Sequence, residues 1–178
     1  PNLFGEQRFG HEGRNVEKAL AMFRGEFTPG DRLLRGLLLS SVRSHLFNAV
    51  IAERLYRGIW NQPLSGEVYG FPDNGTILLI NNQRGDEAQR FAEGKVELTA
   101  PLWGSGDLHT TDEVRALELE VVSRFPELTA GLDRRRRFHG VRHGWLGVGT
   151  LLGDFGVVAD SAPALAALPG IELFPMKR

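Results

Sequence analysis

Residues 37–57 read LLLSSVRSHLFNAVIAERLYR, a long pattern in which apolar residues recur at helical spacing. The apolar positions form two adjacent rows, one of Val42, Leu46 and Val50 and the other of Phe47, Ile51 and Leu55. Together the rows make an apolar arc that is too wide for a helix with one side in water. We therefore predict a central, buried helix that organises the rest of the fold.

Arg43 lies inside this apolar arc, between Val50 and Phe47 when successive residues are placed about 100° apart. An unpaired cation at a buried position is costly, so we expect the guanidinium to meet a carboxylate, backbone carbonyls or a phosphate. A structural ion pair inside the protein is the more common outcome for a buried charge. A phosphate from a ligand is the functional alternative.

Shorter elements are predicted on both sides of this helix. Some segments carry apolar residues at helical spacing, whereas others are β-branched and aromatic runs bounded by turn residues. The predicted helices cover residues 15–23 and 86–93, and the predicted strands cover residues 67–71, 77–80 and 96–99. Strands interspersed with helices along the chain predict an α+β fold.

A further helix is predicted to begin near Thr110. Thr110 and Glu113, three residues later, have the capping-box pattern, in which the threonine hydroxyl accepts from a backbone N–H of the first turn. Apolar residues then recur at helical spacing until Pro126, where the helix is predicted to end.

The first ten residues, PNLFGEQRFG, combine aromatic rings, polar amides, a cation and two glycines. No core strand needs such a mixture. Asn2, Gln7 and Arg8 supply hydrogen-bond donors, and Phe4 supplies a flat stacking face. Gly5 and Gly10 give the backbone conformational freedom and allow a ligand to approach it closely. This combination predicts a site for a planar ligand.

The same residues resemble the Asn-x-Phe-Gly-x-Gln-Arg-Phe-Gly motif of the tRNA pseudouridine synthase D (TruD) family. Residues 39–48, LSSVRSHLFN, with AERL at 52–55, are similar to the family's Leu-Ser-Ala-x-Arg-Ser-x-Leu-Phe-Asn helix. Gly66, Glu67 and the segment APLWGSG at 100–106 then follow in the family's order. The resemblance extends over about residues 1–140.

The resemblance implies isomerisation of uridine to pseudouridine in tRNA, at uridine 13, without a metal or an organic cofactor. The base must leave its stack before an enzyme can detach and rotate it. By resemblance, Phe4 would stack on or pack beside the uracil, and Asn2 would contact the target nucleotide. Gly5 and Gly10 would shape the loop, and Gln7 and Arg8 would brace it or reach the RNA backbone. Without the resemblance, Phe4 is interpreted as a core aromatic and Arg8 as half of a salt bridge.

The resemblance also implies a nucleophilic aspartate in a Gly-x-Lys-Asp segment, and no such segment occurs in the 178 residues. We expect this aspartate upstream of Pro1, so that the chain has no catalytic residue of its own and is inactive alone, because positioning cannot replace an attacking group. The alternative is a non-catalytic RNA-binding module.

The expected domain organisation follows from the same resemblance. Residues 1–27 would be a segment of the catalytic domain of a pseudouridine synthase, and residues 28–145 the inserted α+β domain specific to the family. Residues 146–178 would return to the catalytic domain, but they lack the family's return motif. Either the tail has diverged or its reading frame has shifted, and we expect it to be poorly packed.

Arg134, Arg135, Arg136 and Arg137 form the strongest charge cluster, directly after a helix-compatible segment. A phosphate backbone is the natural ligand of such a cluster, and its binding would be strongly salt dependent. A solvated helix face, or a helix C-terminus that favours cations, is the equal alternative.

Two further patterns in the sequence resemble a metal site and a nucleotide-binding loop. His139 and His143 have the i, i+4 spacing of metal ligands, but the His-Glu-x-x-His pattern and a third ligand are missing, so we predict no metal site. The segment GVGTLLG at 147–153 imitates a dinucleotide-binding loop with the wrong final spacing, and a glycine-rich turn is the better interpretation.

Composition agrees with a soluble enzyme segment. There are no cysteines, which excludes disulfides and thiolate metal sites and is compatible with the cytoplasm. No apolar run has membrane-spanning length, and no signal peptide is evident. The net charge of −1 argues against a globally basic protein but permits a local basic face. We expect a cytoplasmic monomer that acts on tRNA and uses neither a membrane nor a metal.

Overall fold

The computed structural model describes residues 3–71, 77–79, 86–134 and 142–145. Several predicted features lie outside these residues: Asn2, Arg135, Arg136, Arg137, His139, the segment 147–153 and the whole tail 146–178. Helices and strands are interspersed along the described chain, which confirms the predicted α+β class.

The elements are numbered here in chain order. The helices are α1 (Asn15–Arg24), α2 (Arg32–Tyr56), α3 (Glu87–Ala92), α4 (Asp112–Val122) and α5 (Pro126–Asp133). The strands are β1 (Val68–Gly70), β2 (Ile77–Leu79), β3 (Glu97–Leu102) and β4 (Arg142–Trp145). Two short 3-10 turns, Glu6–Phe9 and His11–Gly13, precede α1.

Helix α2 begins at Arg32 rather than at residue 37 because a side chain caps it earlier than the apolar pattern indicates. The Asp31 carboxylate accepts a hydrogen bond from the Leu34 N–H at 2.7 Å, which satisfies one of the otherwise unpaired donors of the first turn. Leu33, in this first turn, is 82% exposed. The buried part of the helix starts at Leu38, where the predicted apolar arc starts to pack.

Two hydrophobic clusters form around α2. The first joins α2 to the N-terminal loop, the sheet and α4, and it includes Phe4, Phe47, Tyr69, Leu98 and Leu117. The second joins α2 to α1 and α5, and it includes Ala19, Leu38, Val42, Leu128 and Leu132. Since α2 contributes buried residues to both clusters, the prediction of a central buried helix is confirmed.

The strands form a four-stranded antiparallel sheet in the order β2-β1-β3-β4. Tyr69 of β1 lies opposite Leu98 of β3, and Thr99 of β3 lies opposite Trp145 of β4. The Thr99 hydroxyl also donates to the Val68 carbonyl at 2.6 Å. The three predicted strands are confirmed, and β4 is an additional strand that the sequence pattern did not indicate.

The capping-box prediction at Thr110 is wrong. The N-cap of α4 is Thr111, and Thr110 is instead fully buried, where its hydroxyl donates to the Glu118 carboxyl at 2.6 Å. Glu113 accepts from the backbone N–H of Ser65 across the preceding loop. The two side chains therefore connect α4 to other parts of the fold rather than to each other.

Pro126 starts a helix as well as following one. It lies at the first position of α5, where its missing N–H costs no hydrogen bond. Gly131 of α5 packs so closely on α1 that a Cβ there would lie 2.1 Å from the ring of Phe23. The close contact brings α5 onto α1 and completes the second cluster.

Arg43 is partly buried and is bound by a backbone carbonyl, one of the three kinds of partner expected for it. Its Nη2 donates to the Leu102 carbonyl at 2.8 Å, at the end of β3. The contact joins the middle of α2 to the C-terminal end of β3, just before the loop at Trp103.

Candidate functional site

The N-terminal loop, residues 3–10, lies along α2 and is attached to it through backbone groups. The Phe4 N–H donates to Asn48 Oδ1 at 2.9 Å, and Asn48 Nδ2 donates to the Phe4 carbonyl at 2.9 Å. One side-chain amide thus pairs with both backbone groups of a single residue, as a neighbouring strand would. Asn48 is 1% exposed, so these bonds form away from water.

The Phe4 ring is buried in the first cluster. It is 4% exposed and meets the Phe47 ring edge to face, with the centroids 5.3 Å apart and an interplanar angle of 74°. The Arg8 guanidinium lies 5.3 Å from the centroid of the same ring. Phe4 is therefore a core aromatic in this structure, and its contact with a nucleotide base stays a proposal.

Arg8 is attached to α2 through both its side chain and its backbone. Its Nη1 donates to Ser40 Oγ at 3.3 Å. The Ser41 hydroxyl oxygen lies 2.7 Å from the Arg8 carbonyl and 2.9 Å from the Leu37 carbonyl, and both oxygens can share its one proton. Of the two roles expected for Arg8, bracing the loop is the one for which the structure provides contacts.

The two loop glycines differ in conformation. Gly10 has φ 76° and ψ −174°, a region that only glycine adopts readily, and a Cβ there would lie 2.5 Å from Asn15 Oδ1. Gly5 has φ −79° and ψ 174°, extended backbone that any residue adopts. The conformational freedom attributed to glycine at position 5 is therefore not used. Gln7, two residues further along the loop, is exposed.

An aromatic row connects the end of the loop to α2 and α5. Phe9 meets the His45 ring edge to face at 6.5 Å, and His45 meets Phe125 in the same way at 5.1 Å. Burial lowers the pKa of His45, so its imidazole is neutral at physiological pH. His45 therefore serves here as a packing residue.

Three polar residues of α2 were not predicted to have a role at this site. Ser41, His45 and Asn48 follow one another at i, i+4 and i+7, which places them on one side of the helix, among its buried apolar residues. All three are buried and all three contact the loop. A polar stripe on a buried helix was the available signal, because such side chains need partners.

A second group of charged side chains lies inside the fold. Arg54 of α2 forms an ion pair with Glu67, and both side chains are fully buried. Arg54 also donates to the Gln62 carbonyl at 3.1 Å, and Glu67 accepts from the Leu64 N–H at 3.2 Å. Glu118 of α4 interacts electrostatically with both members of the pair.

Burial dominates the protonation of these carboxyl groups. Burial, with a smaller contribution from the nearby Glu67 charge, raises the pKa of Glu118 from 4.5 to about 7, against the hydrogen bond from Thr110 and the charges of Arg54 and Arg115. Glu118 Oε1 is buried with no hydrogen-bond partner among the described residues. Burial also raises the pKa of Glu67, against the attraction of Arg54. The two buried carboxyl groups thus share the Arg54 cation, and burial shifts the pKa of both upward.

The remaining predicted positions are placed as follows. Arg134 is exposed and follows directly on the C-terminus of α5, while the rest of its cluster lies outside the described residues. Within the described residues, no group of three or more histidine, aspartate or glutamate side chains could hold a metal ion. In the same part of the chain, no helix is long and apolar enough to cross a membrane.

Comparison with known protein families assigns the chain to one of them. The sequence model of the family described as tRNA pseudouridine synthase D (TruD) matches residues 27–126, more than half of the chain. The chain therefore belongs to the TruD family, as the two sequence motifs indicated.

Individual relatives agree with this assignment. The tRNA pseudouridine synthase D of Colwellia psychrerythraea is 38% identical over 134 residues, which cover 75% of this chain and 36% of the relative. The Aeromonas hydrophila enzyme of the same name is 39% identical over 142 residues, which cover 77% of this chain and 40% of the relative. The Xanthomonas axonopodis pv. citri enzyme is 35% identical over 177 residues, which cover 85% of this chain and 48% of the relative. The chain spans less than half the length of these relatives.

Proposed function

We propose that this chain is a segment of a tRNA pseudouridine synthase that isomerises uridine 13 of tRNA. The observation that carries the proposal is the similarity at 35–39% identity, across 75–85% of the chain, to proteins named tRNA pseudouridine synthase D. The motif-bearing loop held on α2 supports it, because a fixed loop with exposed polar side chains suits the recognition of an extruded base.

The proposed division of the chain assigns residues 1–27 to the catalytic domain and residues 28–145 to the inserted domain. Residues 146–178 would return to the catalytic domain. The match of the family model to residues 27–126 supports a family-specific region that begins near this boundary.

In the proposed reaction, uracil is detached from the ribose at N1 and reattached at C5, so no atom is gained or lost and no cofactor is consumed. We propose that Asn2 contacts the target nucleotide and that Phe4 packs beside the uracil. Arg8 braces the loop through its contacts with Ser40 and the Phe4 ring. A base held in a fixed place needs less reorganisation before its bond to the sugar breaks.

The proposed nucleophile is an aspartate that does not lie in this sequence. The 178 residues contain no Gly-x-Lys-Asp segment. We therefore propose that this chain binds tRNA without isomerising it, in a cytoplasmic setting where tRNA is modified.

Binding and chemistry can be tested separately on the 178-residue chain. A labelled tRNA transcript is titrated by fluorescence anisotropy, against an unstructured RNA of the same length, at several salt concentrations. Tritium release from C5-tritiated uridine in the same transcript reports isomerisation. We expect preferential tRNA binding without tritium release. Equal affinity for the unstructured RNA would refute a tRNA-recognising segment, and tritium release would refute the absence of the nucleophile.

The contribution of the arginine cluster to binding can be tested in the same assay with one variant of the cluster, at Arg134, and one control variant outside it, at Lys95. If Arg134 contacts a phosphate, Arg134→Ser should reduce the slope of log affinity against log salt by about 0.7 to 0.9. Lys95→Ser removes the same charge from a side chain already paired with Glu93 at 2.6 Å, and its slope should not change. Equal slopes for both variants would favour a solvated helix terminus for Arg134.

A further inference from the structure

The attachment of the N-terminal loop to α2 depends on side chains of α2 and on backbone groups of the loop. Asn48 binds the N–H and the carbonyl of Phe4, and Ser41 binds the carbonyl of Arg8. Ser41 and Asn48 are seven positions apart, so the two attachment points are separated by about 10 Å along the helix axis. The loop between them is fixed at both ends.

Asn48 is the stronger of the two attachments. Both of its hydrogen bonds are 2.9 Å long, and the orientation of its amide is determined because the Phe4 N–H requires an acceptor and the Phe4 carbonyl requires a donor. Breaking these bonds inside the protein would leave two backbone groups unsatisfied, which is costly. The position of Phe4 therefore follows from the position of Asn48.

We infer that Asn48 is a positioning residue for RNA binding: it fixes the backbone at Phe4 and thereby sets the position in which the N-terminal loop, residues 3–10, meets the RNA. Asn48 itself is buried and does not touch the RNA. This inference rests on the proposed function, since it assumes that the loop is the part that contacts the nucleotide.

The substitution Asn48→Asp offers a reversible test. An ionised aspartate keeps the acceptor for the Phe4 N–H but places a second acceptor against the Phe4 carbonyl. A protonated aspartate has one acceptor and one O–H donor, the same pair that the amide provides. The variant should therefore lose the attachment at pH 8 and regain it at pH 5. Asn48→Leu has neither group and should show no recovery.

The experiment measures amide hydrogen exchange and tRNA affinity on the same proteins at both pH values. For Asn48→Asp at pH 8, we expect exchange of the loop amides to be at least tenfold faster than in the unsubstituted chain, once corrected for intrinsic rates, while the amides at the centre of α2 keep their protection. The affinity for the tRNA transcript should fall in parallel, and both properties should recover at pH 5.

Val42→Ala is the control for a general loss of stability. Val42 is fully buried in the second cluster, which contains no residue of the loop. This variant should weaken the whole domain without a selective change in the loop. If Asn48→Asp behaves like Val42→Ala, with loop and helix amides accelerated together, Asn48 is only a structural residue and the inference is wrong.

The remaining outcomes distinguish the inference from the proposed function. If the unsubstituted chain does not bind tRNA, the proposed function fails and the inference, which assumes it, fails with it. If it binds tRNA, and Asn48→Asp binds equally well with a loosened loop, the inference is wrong while the proposed function stands. Unchanged loop exchange in Asn48→Asp and Asn48→Leu would also overturn the inference.

Discussion

Glu118 should make the stability of this domain depend on pH, and the substitution Glu118→Gln should remove that dependence. The side chain is fully buried and accepts a hydrogen bond from Thr110 at 2.6 Å. Burial, which removes water from the charged form, is the main cause that raises its pKa from 4.5 to about 7, and the negative charge of Glu67 acts in the same direction. Glutamine has nearly the same shape, retains an acceptor for Thr110 and carries no charge at any pH.

The magnitude follows from the difference between the two pKa values. The folded state holds the Glu118 proton up to about pH 7, whereas the unfolded chain releases it near pH 4.5. The stabilising contribution is therefore complete below pH 4.5 and is lost as the pH rises to 7. At about 1.4 kcal/mol for each pH unit, the complete loss is about 3.5 kcal/mol, and most of it falls between pH 5 and pH 8. A loss of this size is a large part of the stability of an ordinary domain.

Urea unfolding at pH 5, 6, 7 and 8 measures the effect directly. The free energy of unfolding of the unsubstituted chain, relative to that of Glu118→Gln, should fall by about 3 kcal/mol between pH 5 and pH 8. Other ionisable groups cancel in this difference, apart from Glu67, which is coupled to Glu118. Glu113→Gln is the matched control, because it neutralises an exposed carboxylate on the same helix.

Two results would refute the reasoning. If the unsubstituted chain and Glu118→Gln have parallel pH profiles, Glu118 is ionised in the folded state over this range. If Glu113→Gln flattens the profile as strongly, the dependence comes from the net charge of the surface and not from the buried group.

Three further substitutions test the close contacts and the surface charges by urea or thermal unfolding. Gly66→Ala should lower the free energy of unfolding by more than about 3 kcal/mol, because its Cβ would lie 2.1 Å from the Thr111 carbonyl oxygen at a φ of +86°. Gly10→Ala should cost about 1–3 kcal/mol, since it strains the backbone and displaces Asn15. Arg124→Ala should cost less than about 1 kcal/mol, and this cost should shrink in concentrated salt, because the Arg124 side chain is 39% exposed and its ion pair with Glu120 lies at the surface.

Matched controls exist for these three variants. Gly58 also has a positive φ of +71° but open space around it, so Gly58→Ala measures the backbone strain without a clash. A Gly66→Ala variant no less stable than Gly58→Ala would contradict the close approach to Thr111. For Arg124→Ala, a salt-independent loss would show that the side chain acts through packing rather than through its charge.

The sequence predicted α2 well because its buried length carries a strong apolar period. The start of the helix was harder to predict, because Asp31 caps a first turn whose residues are largely exposed and carry little of the apolar period. Strand β4, with the sequence RHGW, has no alternation of apolar and polar residues, and it becomes a strand by pairing with β3. Thr110 fitted a local capping pattern, but a partner eight residues away, Glu118, satisfies its hydroxyl instead.

The contacts within the candidate site could not be predicted from local sequence patterns either. Both of its motifs were evident in the sequence, but nothing in either motif indicates that Asn48 pairs with Phe4, which lies 44 positions away. Local patterns report the period and the turn chemistry of a segment, whereas the choice of a distant partner depends on how the elements pack.

The bonds from Ser41 and Asn48 to the loop have an evolutionary consequence. Because these side chains bind main-chain atoms, which every amino acid other than proline supplies in full, they place little demand on the identity of the residues that they hold. Glu6 and Gln7, between the two attachment points, are exposed and can be replaced without disturbing either bond. Selection for a different loop surface can therefore act on these two positions while the architecture of the domain is conserved.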